Sequence, residues 1–319
     1  MKCYESLEKI PALRGPVHLA VGMFDGVHLG HKEVIGGSVA SAAQAGGTSG
    51  VLTFTPHPSR LFHPENPVPQ ILSREDKDER IARLGPGFIV HQPFTREFAA
   101  QAAKGFLESL RNAIPNLFAI HVGKNFRFGK NRTGDVAWLV EHANRLGLHV
   151  LSANDIQADG ERISSTRIRG LITEGEMAVA NALLGYNYAV HGEVIGGRAL
   201  GRTLGFPTLN IPWMPELKPR QGVYAVRAKT KGSDWFSGVA NYGQRPTVEN
   251  GPVSPLLEVH LLSGGDDVRR AGFGPGAMME VELLEFIRPE KKFKGLDELR
   301  AQIAKDTTAA RRFFETGMM

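Results

Sequence analysis

Apolar positions in the first half of the chain alternate between two rhythms. Short continuous runs of strand length occupy 17–23, 50–54, 88–90, 118–122 and 149–152. Between them lie stretches with helical periodicity, at 28–45, 95–114 and 138–146. In the second of these, Phe98, Ala102, Phe106, Leu110 and Ala113 recur three or four apart, and Thr95 stands where a helix cap belongs. Strands alternating with helices predict a parallel sheet covered by helices.

The texture changes after Ser165. One helical pattern, 166–184, precedes five short strand-like runs at 190–195, 222–229, 235–239, 256–262 and 279–287. Segments rich in glycine, proline and charge separate them, the pattern of a small antiparallel barrel or sandwich. A closing helix, 296–314, carries Leu299, Ile303 and Phe314 as apolar anchors. The boundary falls near residue 186, giving domains 1–186 and 187–319. No internal repeat interrupts either.

Composition narrows this picture without redirecting it. A chain of 319 residues is long enough for two domains, and 42% apolar with 22% charged residues is ordinary for a globular enzyme. The formal charge of +5 is spread along the sequence, which favours phosphate-bearing small substrates over nucleic acid. With Cys3 as its one cysteine, the chain has no intramolecular disulfide and no thiolate metal cluster. It has no signal-like amino terminus and no apolar stretch approaching the ~20 residues of a membrane span, so a cytoplasmic protein without a membrane partner is expected. Self-association is left open.

Two segments of the first domain carry phosphate chemistry. The run 22–31, Gly-Met-Phe-Asp-Gly-Val-His-Leu-Gly-His, stands where a strand ends and a helix begins. His28 and His31, three apart in the first helical turn, would lie beside free backbone N–H groups and the positive end of the helix dipole. Imidazoles there can stabilise charge developing on a phosphate and its leaving group. A zinc site would need more ligands than this pair. The run 163–169, Ile-Ser-Ser-Thr-Arg-Ile-Arg, places hydroxyls ahead of a helix and two arginines behind them, suited to capping and to phosphate contact.

The second domain carries a glycine-rich run, 192–210, leaving a strand and ending in Gly205-Phe206-Pro207-Thr208-Leu209-Asn210. Consecutive backbone N–H groups in such a loop can wrap phosphates. Thr208 and Asn210 alternate onto one side of an extended segment, two neutral oxygen donors of the kind Mg²⁺ accepts with few protein ligands. The loop lacks the terminal Gly-Lys-Ser/Thr of a Walker motif. A plain glycine-rich hairpin is the alternative reading of these residues.

In order along the chain, these motifs resemble prokaryotic bifunctional riboflavin kinase/FAD synthetases. The runs 22–31 and 163–169 resemble the two nucleotidyltransferase signatures, and 53–58 with 123–129 narrow the match. The resemblance implies a Rossmann-like nucleotidyltransferase domain, then a small antiparallel β-barrel with a carboxy-terminal helix. It implies phosphorylation of riboflavin to FMN and adenylylation of FMN to FAD, with Mg²⁺-ATP as donor and ATP, riboflavin and FMN as partners. By the same resemblance His28 and His31 hold the ATP phosphates with Gly22, Phe24, Asp25 and Gly30, and Ser164, Thr166 and Arg167 form the second phosphate motif. His57, Asn125 and Arg288 fall on flavin-site positions; many relatives carry Asp where Asn125 stands. In the kinase, Gly197, Arg202 and Gly205 belong to the phosphate loop, Thr208 and Asn210 ligate Mg²⁺-ATP, and Glu258 is the general base. Arg245-Pro246-Thr247 completes another matching run. The segment 263–276 departs from the family, standing where an aromatic turn is usual. Phe126 and Phe128 read as core packing. The rival readings are an adenylylating enzyme with a weak or lost kinase and, in another class, a flavin-sensing regulator.

Overall fold

A computed structural model describes residues 1–197, 200–244 and 255–317. Arg198 and the 245–247 run lie outside the described residues. The chain divides into two compact units, Met1–Ser165 and Thr166–Met319.

The first unit is a parallel sheet of β1 (Lys2–Tyr4), β2 (Val17–Val21), β3 (Thr48–Thr55), β4 (Phe88–Pro93), β5 (Leu117–Gly123) and β6 (His149–Ala153), in the order β1-β4-β3-β2-β5-β6. Beyond the edge strand β1, the chain winds outward from β2 to β4 and then returns to place β5 beside β2. This is the doubly wound order, whose direction reverses between β2 and β5. Helices α1 (Leu29–Gln44), α2 (Pro58–Phe62), α3 (Arg74–Ala82), α4 (Arg96–Ala99), α5 (Ala103–Ala113) and α6 (Val136–Asn144) connect the strands. Strand β2 is buried at all five positions, as the centre of a sheet covered on both faces requires. Phe106, Leu107 and Leu110 of α5 join Leu19, Leu52 and Ile120 in the core, each such side chain contributing about 1.5–3 kcal/mol on burial.

The helix expected over 95–114 is broken. Thr95 caps α4 through Phe98 N–H at 3.1 Å as expected. The next turn opens, however, so that the Gln101 carbonyl can accept the Lys130 N–H at 2.7 Å instead of an intrahelical donor. Phe128 is buried against Phe106, with centroids 5.3 Å apart, and Phe126 stacks on Phe128, so the aromatic pair packs on the core as read from sequence. A two-stranded hairpin, β7 (Gln157–Ala158) with β8 (Glu161–Arg162), closes the unit.

The second unit opens with α7 (Ser165–Glu174) and α8 (Met177–Leu184). The single helix expected over 166–184 stops at Gly175, whose φ of +86° ends a helix where a side chain would be strained. Asn181 of α8 fastens the pair to the strands that follow, donating to the Leu283 carbonyl at 2.9 Å and accepting the Tyr188 N–H at 2.8 Å. Those strands are β9 (Ala189–Glu193), β10 (Leu209–Pro212), β11 (Gly222–Thr230), β12 (Phe236–Gln244), β13 (Pro255–Leu261) and β14 (Met278–Pro289), with α9 (Leu200–Thr203) and α10 (Gly265–Arg270) between them. All pairings are antiparallel, in the order β10-β13-β12-β11-β14-β9. Among the described residues, one bridge between Ile195 and Asn210 joins the two ends of that row, so the sheet is a barrel and not a sandwich.

Tyr224, Val226, Leu257, Val259 and Leu283 fill its interior. On the outer face, Val223, Ala225 and Val239 are covered by Ala310 and Phe313 of α11 (Leu296–Glu315). Arg288 fixes that helix, its Nε and Nη2 donating to the two Asp306 oxygens at 2.8 and 2.7 Å. The unusual segment 263–276 forms α10 and then buries Phe273 edge-on against Phe236 of β12 at 5.2 Å.

Candidate functional site

The carboxyl ends of β2, β3 and β5 carry the residues singled out in the first unit. His28 stands at the N-cap position of α1 at the end of the turn that follows β2, His57 caps α2 after β3, and Asn125 follows β5. In a doubly wound sheet, this edge beside the reversal of strand order is where ligands bind. The turn from β2 to α1 is tightly folded, with Phe24 at φ 51° and Val27 at φ 37°, both in the left-handed region. The His28 and His31 rings stack with centroids 3.6 Å apart, and the Phe24 ring meets His31 edge-on at 5.4 Å. Phe24 is buried, so its ring supports His31; Gly22 adjoins the same ring, which would lie 3.0 Å from any β-carbon there. Gly30 sits over His28 at the start of α1. The stacked pair therefore stands at a helix amino terminus beside backbone N–H groups, a geometry that receives an anion.

The second signature reaches the first through Ser165, whose hydroxyl donates to the Asp25 carbonyl at 2.9 Å. Ser164 precedes α7, and Thr166 and Arg167 stand in its first turn. Asp25 has a structural engagement absent from the sequence reading: its Oδ1 accepts the Ile71 N–H at 2.9 Å, and the residue is buried. His57 Nδ1 accepts the Ser59 N–H at 3.1 Å, and Asn125 donates to both Asp155 oxygens at 3.2 Å.

The second cluster is built across strands. Glu258 of β13 lies directly opposite Asn210 of β10 on one side and Asn241 of β12 on the other. Directly opposed residues of an antiparallel sheet share a face, so a carboxylate sits between two amides. The next steps of the same row are Val223 and Arg288. The glycine loop wraps the Asn210 end of this row. Gly197 approaches Asn210 so closely that a β-carbon would sit 2.1 Å from its Nδ2, and the Phe206 N–H closes the loop onto the Gly201 carbonyl at 2.7 Å. Gly205 turns the chain at φ +87°, and His260 donates to the Pro207 carbonyl at 2.9 Å. Arg202 falls on α9 with its side chain outside the described set. The guanidinium of Arg288 is spent on Asp306, so the structure gives this residue the docking of α11. Gly276, ending the unusual segment, and Ala277 just after it exchange hydrogen bonds with Val194 just before the loop.

Sequence reasoning missed α3 and its Lys77, which is buried beneath the β2–α1 turn. The helix is too charged to show an apolar stripe. Its signal was the cap: Ser73 accepts the Asp76 N–H at 3.0 Å and donates to the Asp76 carboxylate at 2.8 Å.

An anion-receiving turn at the switch point of one sheet and a glycine loop facing a carboxylate on a small barrel define a two-domain enzyme of phosphate-group transfer. The family comparisons make it particular. Residues 11–167 match the FAD synthetase family and residues 184–314 the riboflavin kinase family. The bifunctional riboflavin kinase/FMN adenylyltransferase of Escherichia coli K12 is 36% identical over 93% of this chain and 92% of its own length. The proteins so named from Haemophilus influenzae and Bacillus subtilis are 38% and 35% identical, over 93% of this chain and 94% and 92% of theirs. The chain belongs to the bifunctional riboflavin kinase/FMN adenylyltransferase family. A solved Streptococcus pneumoniae structure described as a macrolide-efflux protein superposes with a TM-score of 0.84 at 26% identity, over 97% of this chain and 98% of that one. None of the described helices here is long and apolar enough to cross a membrane.

Proposed function

We propose that the two reactions of this enzyme run at separate sites, adenylylation at the β2–α1 turn and riboflavin phosphorylation at the Asn210–Glu258 row, with the functional domains meeting near residue 186. The stacked His28–His31 pair at a helix amino terminus is the observation that carries the first assignment. In this reading the α-phosphate of ATP lies against α1, with Gly30 leaving room. The histidines stabilise the charge that grows as FMN phosphate oxygen attacks and pyrophosphate departs. Ser164, Thr166 and Arg167 hold the remaining phosphates. His57 and Asn125, on the neighbouring strand ends, line the flavin side.

In the barrel, Glu258 takes the proton of the ribityl hydroxyl as that oxygen attacks the γ-phosphate and the bond to the β-phosphate oxygen breaks, releasing ADP. Asn210 and Thr208 offer neutral oxygens, and Gly197 packs so closely on Asn210 that the loop backbone, with no side chain between, lies against that amide. That donor set fits Mg²⁺, which wants oxygen ligands and keeps most of its coordination for phosphate and water. When bound, the ion neutralises phosphate charge during transfer. The protein's own part is to present the backbone of Gly197 and of 201–205 and to hold Glu258 between its two asparagines. The test is to supply purified protein with Mg-ATP and either riboflavin or FMN. FMN and FAD should form from the first and FAD from the second; FAD from FMN with no FMN from riboflavin would remove the kinase assignment.

A further inference from the structure

Apart from Asp25, the charged network beneath the β2–α1 turn has no part in the chemistry described so far. Lys77 of α3 is only 8% exposed, although an ammonium group taken from water carries a heavy desolvation cost unless compensated. Burial pulls its pKa down, while Asp25 and Asp78 hold it up against Arg74. Lys77 Nζ donates to Thr53 Oγ1 at 3.4 Å, and that hydroxyl donates to the Met23 carbonyl at 3.0 Å. Asp25 in turn accepts the Ile71 N–H. The neighbouring Asp78 engages His91 Nε2 at 2.9 Å, on β4. One helix is therefore bonded to β3 and β4, and through Thr53 to the turn after β2.

The grip falls on both sides of Phe24, at the Met23 carbonyl and the Asp25 carboxylate. Phe24 holds a left-handed backbone that a non-glycine residue keeps only where its surroundings over-determine it, and its ring sets the edge of His31. We propose that Lys77 is a positioning residue for adenylyl transfer: its buried ammonium, between Asp25 and Thr53, fixes the turn that presents His28 and His31 to ATP. The inference rests on the assignment of those histidines to the ATP phosphates.

The experiment uses the full chain, whose riboflavin phosphorylation reports folding in the same sample. Lys77→Met should raise the KM for ATP in FAD synthesis about tenfold, leave the KM for FMN unchanged and keep the kinase rate within about twofold. Lys77→Arg, which restores the cation, should recover most of the loss. An unchanged ATP KM, with kcat falling only as protein is lost to unfolding, would overturn the proposal, as would failure of Lys77→Arg to improve on Lys77→Met. Should Lys77→Met not fold, Thr53→Val keeps the shape without the hydroxyl and should raise the ATP KM about threefold; no change there also overturns it. His28→Ala with His31→Ala separates the two layers. If that double variant makes FAD normally, the site assignment itself falls. If it loses FAD synthesis while Lys77→Met keeps its ATP KM, the tether alone falls.

Discussion

The two candidate sites are made in opposite ways. In the parallel sheet, the residues stand on turns beyond the strand ends, where no ladder of hydrogen bonds continues. The turn after β2 depends instead on buried polar contacts from elsewhere in the sequence, Thr53 to Met23 and Ile71 to Asp25. In the barrel, Asn210, Glu258 and Asn241 lie within strands, and the pairing that builds the sheet also sets their spacing. A site at strand ends needs dedicated support and can be damaged from a distance. A site inside a ladder is as rigid as the fold around it, and only its loop is delicate.

This contrast can be broken by experiment. The largest effect belongs to His28→Ala with His31→Ala, which should lower FAD synthesis from FMN at least about 10³-fold by removing charge stabilisation. Riboflavin phosphorylation should stay within about twofold; equal loss of both in a folded variant would end the separation of sites. Glu258→Gln should reverse the pattern, cutting the kinase about 10²- to 10³-fold while FAD still forms from supplied FMN. An unchanged kinase rate would remove Glu258 as base.

The third prediction concerns acid. Among the described residues, the buried histidines His18, His28, His91 and His121 all lie in the first unit. Burial, with His18 beside it, lowers the pKa of His121 from 6.5 to about 4. The fold therefore favours the neutral ring. Its contribution is complete above pH 6.5 and is lost as pH falls from there towards about 4, at a cost of up to about 3 kcal/mol. Urea titrations at pH 7 and pH 4.5 should show the first unit losing stability more than the barrel, and His121→Leu should flatten that acid limb. Equal acid sensitivity of the two units would refute the account. The smallest effect is Gly197→Ala. Its β-carbon must displace Asn210, so the KM for Mg-ATP in the kinase should rise about tenfold with FAD synthesis from FMN untouched.

The sequence made the strands legible because their apolar runs are short and bounded, and α1 was readable from cap to cap. Its motifs also set His28 and His31 at the start of a helix and Glu258 on a strand, where the structure has them. What stayed hidden depended on partners distant in sequence. The break inside 95–114 exists because Lys130 claims the Gln101 carbonyl, and no local pattern announces that. Asp25 reads as a motif residue, yet its carboxylate serves Ile71. Arg288 falls on a flavin-site position in the sequence, where nothing announces its tie to Asp306, eighteen positions on. Strand β10 is four residues long and gave too little periodicity to register.

The bridge from Ile195 to Asn210 has a consequence for how the barrel ages under mutation. Every other junction in that sheet is a ladder of several rungs, and this one, among the described residues, is a clasp made by one pair. If the clasp residue is also the one that meets the nucleotide, selection for catalysis and selection for closure act on the same position. Drift there is then policed twice, and the ring of strands inherits its durability from the reaction it hosts.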